Sequence, residues 1–148
     1  MNTDALTIFI SVCNKPRMYV QSERFEEICA YIEGYNEALW GAPLEGFREW
    51  LLTEGTEWTN MCWWALIRKQ LWPVQGADEA LTDAQSELAR KTLSSHLSAY
   101  IECRRTLGLA GIYDRYSKWL VQAQGVGAQV TRERLGITAG KGDEPPKS

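Results

Sequence analysis

Histidine occurs once in these 148 residues, and the four cysteines, Cys13, Cys29, Cys62 and Cys103, stand far apart. Zinc sites draw on close cysteine pairs, so a Cys/His centre would need four distant segments to converge. The spacing instead suits reduced thiols, most of them on apolar helix faces, in a cytosolic protein. There is no glycine-rich phosphate loop and no G-x-S-x-G elbow, which removes two common frameworks for nucleotide and acyl-transfer chemistry. No apolar run approaches the ~20 residues a membrane helix requires, so no membrane partner is expected. The start, Met1-Asn2-Thr3-Asp4, lacks the basic opening of a secretory signal, and a cytoplasmic location is the expectation. Strand-like alternation of β-branched residues is missing throughout, as is any repeat of constant period.

What is present begins with a hydrophobic content of 45% and a charged content of 24%. Those values are ordinary for a single domain with one core. The net charge of −3 is unevenly spread: residues 1–60 hold ten acids and four bases, the remainder nine acids and twelve bases. The first part therefore sums to −6, which repels phosphate backbones and attracts basic partners.

The apolar spacing predicts an all-α fold of five or six helices around an aromatic-rich core. A first helix spans 3–14, with Leu6, Phe9, Ile10 and Cys13 inward, and Pro16 stops it. Ser22 is positioned to cap a second helix reaching about Leu39. Its stripe is Phe25, Ile28, Cys29, Ile32, Tyr35 and Leu39, and Glu23, Glu26, Glu27, Glu33 and Glu37 form the opposite, solvated face. Pro43 would open a third helix ending at Gly55, and Thr59 or Asn60 a fourth ending before Pro73. Thr82 and Gln85 fit a capping box for a long helix that Gly108 ends. A sixth helix follows over 109–124. Gly125-Val126-Gly127 closes a helical domain of residues 1–125, and 126–148 form a short extension, flexible from about 138.

Candidate chemistry is sparse. His96 has the pKa of a general base, but Cys103 lies seven residues on, ~10.5 Å along a helix, too far for a Cys–His pair. His96 is read as structural. The glutamates of the second helix lie on one helical face rather than across a cleft, and no Glu-x-x-His motif accompanies them, so neither a metal nor a cofactor is expected. Seven tryptophans are the unusual feature, four of them (Trp58, Trp63, Trp64 and Trp72) within fifteen residues. Tryptophan serves cores and binding hot spots alike, and a cluster of this density predicts at least one exposed anchor. The basic pairs Arg68-Lys69, Arg90-Lys91 and Arg104-Arg105 form no stripe, which argues against nucleic acid.

Lys15-Pro16-Arg17-Met18-Tyr19-Val20 looks like a short element of type II topoisomerase ATPase subunits, but the D-x-G-x-G nucleotide motif of that family does not occur, and the likeness stops there. A broader one covers most of residues 5–123. It runs through the Pro-x-Met-Tyr element, Ile32-Glu33-Gly34-Tyr35, Gly46-Phe47-Arg48-Glu49-Trp50-Leu51 and Gly111-Ile112-Tyr113-Asp114-x-Tyr116-x-x-Trp119-Leu120. In these segments the chain resembles small bacterial α-helical proteins found as immunity partners beside secreted toxins. The resemblance implies a non-enzymatic protein that binds a cognate toxin, and the acidic half suits a basic, nuclease-like one. The expected surface combines Glu23, Glu26, Glu33 and Glu37 with Glu54, Glu57 and Trp58 of the turn after the third helix. A self-associating structural or regulatory protein, for example a homodimer, is the alternative.

Overall fold

Proline and glycine set most of the chain's breaks. The computed structural model describes residues 3–55, 57–76 and 78–134, with side chains placed for 5–55, 57–76 and 78–125. Its elements are α1 (Thr3–Asn14), a 3-10 turn (Pro16–Met18), α2 (Phe25–Ala38), α3 (Phe47–Thr53), α4 (Trp63–Leu71) and α5 (Asp83–Arg134). No strand occurs among the described residues. The fold is all-α, as the periodicity predicts.

Pro16 ends α1 and opens the 3-10 turn, which folds back so that the Tyr19 hydroxyl donates to Ser11 Oγ at 2.9 Å. The expected capping box at α5 is complete. The Thr82 N–H donates to Gln85 Oε1 at 3.0 Å and the Gln85 N–H to Thr82 Oγ1 at 3.2 Å, satisfying two orphan donors reciprocally.

Three starts differ from expectation. Arg24, not Ser22, occupies the cap position of α2, because the Ser22 hydroxyl donates to Glu27, which also accepts the Gln21 N–H at 3.1 Å. Those bonds hold the Glu27 carboxyl below its usual range. α3 begins at Phe47 rather than Pro43. The Leu44 N–H is taken by Asn36 Oδ1 at 3.0 Å, Arg104 donates to Pro43 O at 3.2 Å, and the Tyr100 hydroxyl donates to Glu45 O. With its polar groups held this way, 41–46 forms a turn against α5. α4 begins at Trp63 rather than near Asn60, because Arg48 draws the carbonyls of Thr59 and Met61 to itself at 2.8 and 2.7 Å.

α1 and α3 pack against α5. Leu6, Phe9 and Cys13 from α1, Ile28 and Ile32 from α2, Phe47 and Leu51 from α3, and Leu93, Leu97 and Tyr100 from α5 lie in one buried cluster. Phe47 is its aromatic centre, with the rings of Trp50, Trp63 and Tyr100 at centroid distances of 6.0, 6.1 and 5.2 Å. Cys13 and Cys29 are buried, as their apolar positions predict. Burial pushes the Cys13 thiol up to about 12.

Gly108 breaks α5 where the sequence marks it, at φ 69° and ψ 171°, a conformation essentially confined to glycine. The two helices expected on either side of Gly108 meet at this kink with no loop between them. Gly46, at φ 82°, packs beside the kink, and a Cβ there would stand 3.1 Å from Leu109 Cδ2. Leu107, just before the kink, is 43% exposed. Beyond Gln124 the helix does not stop at Gly125-Val126-Gly127 but reaches Arg134, since glycine weakens a helix by only about 1 kcal/mol per residue. The tail expected from 138 lies outside the described residues.

Candidate functional site

Where an exposed connection joins two packed helices, it can carry function without weakening the core. The connection from α3 to α4 has this character. Glu54, Glu57 and Trp58 are exposed, Trp58 by 52%. Its base is anchored by Arg48 and by the Trp119 indole, which donates to Gly55 O at 3.2 Å. Glu54 stands 3.9 Å from Arg115 and Glu57 3.8 Å from Lys69, long surface pairs that partly offset the two acids.

The expected acidic face of α2 divides. Glu37 is exposed. Glu23 precedes the helix and faces Arg17 at 3.7 Å. Glu26 is half-buried; one of its oxygens is shielded without a hydrogen bond, and Arg24 stands 3.9 Å from it. Glu33 is a correction. Its carboxylate turns to α4 and accepts the Trp63 indole N–H at 2.6 Å, because the Trp63 ring is buried beside Phe47 and its one donor must be satisfied. That bond brings the C-terminal half of α2 beside the start of α4, so Glu33 lies near the α3–α4 connection. Glu23 belongs to another part of the surface, beside Arg90 and the start of α5.

His96 lies at the rim of the core rather than within it. Its Nε2 is 3.1 Å from Gln70 Oε1 and its ring meets Trp50 edge-on. Partial burial lowers its pKa, against the opposing pull of Glu54. Among the described residues no group of three or more His, Cys, Asp or Glu side chains is placed to hold a metal ion. No described helix is long and apolar enough to cross a membrane.

Sequence reasoning missed Trp40. This side chain is 97% exposed and its backbone has a φ of 59°. The Gly41 N–H bonds to Asn36 O at 2.9 Å and the Trp40 N–H to Glu37 O at 3.0 Å, the two bonds of a Schellman cap with tryptophan where glycine is usual. The Gly41 that follows suggests a break at this point, but only the backbone angle singles out Trp40. Missed too were the inward arginines. Arg48, Arg68, Arg90 and Arg104 each donate to backbone carbonyls. Residues 33–60 hold six glutamates and Arg48 as their one cation, and that cation is turned to Thr59 and Met61.

No family model, curated protein or solved structure matches the chain.

Proposed function

We propose that the chain is an immunity protein, one that binds a cognate bacterial toxin and occludes its active site without catalytic chemistry or a cofactor of its own. The observation that carries the reading is the stretch 33–60. It presents two exposed tryptophans, Trp40 and Trp58, among six glutamates, and its single cation is spent on backbone carbonyls. Exposed tryptophans are costly in water and are enriched at interface hot spots. The excess of acids over this stretch steers a basic partner and slows phosphate-bearing ones.

The test is co-expression with a toxin-domain protein encoded beside this chain. Rescue of growth is expected, and so is a stable complex. Trp58→Ala should weaken that complex by ~2 kcal/mol or more, read by surface plasmon resonance. Charge reversal at Glu54 and Glu57 should mainly slow association, and more at low salt. Variants that all bind like wild type would place the surface elsewhere.

A further inference from the structure

Between α2 and α4 lies an apolar groove of about 310 Å³. Phe25, Cys29 and Ala30 line it from α2, and the ring of Trp64, 38% exposed, lines it from α4. Trp63 and Trp64 are neighbours in sequence, but the first packs on Phe47 while the second borders this groove. Burial holds the Cys29 thiol well above its usual pKa, so the groove carries no thiolate.

The charged groups of the groove are unevenly matched. Glu26 and Glu33 line it from α2, seven residues apart and so ~10.5 Å along one face of the helix. Glu33 accepts the Trp63 indole on Oε2. Glu26 Oε2 is shielded from solvent and accepts no hydrogen bond, and the one cation within 4 Å among the described residues is Arg24, at 3.9 Å. Arg68 also lines the groove, but its guanidinium donates to Glu79 O at 2.6 Å and reaches Gly76 O at 3.5 Å. The Glu26 side chain as a whole is 39% exposed, so a cationic N–H group entering the groove meets the open edge of its carboxylate, and an indole face beside it adds cation–π attraction.

We infer that this groove receives a lysine or arginine side chain of a protein partner, its methylene stem against Phe25, Cys29 and the Trp64 ring and its cationic head at Glu26. The inference rests on the partner-binding reading above and names the chemistry the partner must present. Apolar floor, aromatic wall and carboxylate rim match the stem and head of a long basic side chain, which is amphipathic in the same sense. A neutral apolar residue would leave Glu26 unmatched, and an acidic one would be repelled by both glutamates.

The probe is n-butylguanidinium titrated into the full chain, with n-butanol as the neutral analogue. Two-dimensional NMR reads the Trp64 indole N–H and the amides of Cys29 and Ala30. Saturable shifts with butylguanidinium, at least ten-fold stronger than with butanol, are expected. Glu26→Gln and Trp64→Ala should each weaken binding five-fold or more, the latter read on the amides. Glu102→Gln removes the same charge on α5, outside the groove and the proposed binding surface, and should change it less than two-fold. Equal shifts with butanol, equal losses in Glu26→Gln and Glu102→Gln, or no saturable shift would each overturn the inference. The co-expression assay separates the two readings. If Glu26→Gln lowers rescue as well as probe binding, a partner side chain occupies the groove. If the probe binds and wild type gives no rescue, the toxin reading falls and the groove is a site for free small cations, which overturns the partner assignment. Rescue that Glu26→Gln leaves untouched overturns it too, while the toxin reading stands.

Discussion

Two connections, 39–46 and 54–62, lead into and out of α3, and they are held by different means. The first is locked to α5. Tyr100 and Arg104 donate to carbonyls of Glu45 and Pro43, Asn36 takes the Leu44 N–H, and Gly46 fits against Leu109 with little room to spare. The second is held chiefly by Arg48 at one end and the Trp119 indole at the other, with exposed pairs at 3.8 and 3.9 Å between them. The difference separates two uses of a loop. A connection whose polar groups are tied into the core defines the shape of the molecule. One tied chiefly at its ends can place Trp58 and two carboxylates at the surface and let them adapt to a partner.

The sharpest way to break the first connection is Gly46→Ala. The substitution puts a side chain at φ 82° and a Cβ 3.1 Å from Leu109 Cδ2 and 3.2 Å from Tyr100 Oη. Positive φ and crowding together should cost about 2–3 kcal/mol, read as a lower urea midpoint. Gly34→Ala is the matched control. It meets nothing within 4 Å inside α2 and should gain ~0.5–1 kcal/mol.

Arg48→Met breaks the second connection and should cost somewhat less, about 2 kcal/mol. It removes charge-assisted bonds to Thr59 O and Met61 O while keeping much of the stem. The effect should be local, with faster amide exchange over 57–62 and little change in α1 or the first half of α5. Loss of protection spread through the core would show that this connection too is part of the frame.

How much of this is legible depends on the distance between partners in the chain. The Thr82/Gln85 box, the stop at Pro16 and the break at Gly108 are set within a few residues, so local chemistry suffices to read them. The start of α3 is set by Tyr100 and Arg104, 55 and 61 residues from the carbonyls they hold, and no local signal at Pro43 reports that. Glu33 looks solvated on a helical wheel, yet its partner Trp63 is thirty residues away. Trp58 is legible as exposed because the turn around it is polar and short of apolar neighbours. The groove at Trp64 is not legible, since it exists only once Arg68 and Trp63 have turned to their own partners. The four inward arginines explain much of the shortfall, because charge counted along a sequence does not say which cations face water.

Trp40 offers the smallest effect, and the one whose sign is most informative. In the Schellman cap of α2 the residue at φ 59° gains its backbone bonds whatever its side chain is. A non-glycine residue there carries a conformational cost of about 1 kcal/mol. The indole recovers little of that by packing, because it is 97% exposed. Trp40→Gly should therefore stabilise the free protein by roughly 0.5–1 kcal/mol, less whatever glycine gains in unfolded entropy. A rise in the urea midpoint with the fold unchanged by circular dichroism is the expected result. If the same variant also loses complex with the co-expressed toxin, stability and binding will have moved in opposite directions at one residue, which a packing role cannot produce. If the midpoint falls instead, the ring packs against the protein, and the proposed binding surface narrows to the α3–α4 connection around Trp58.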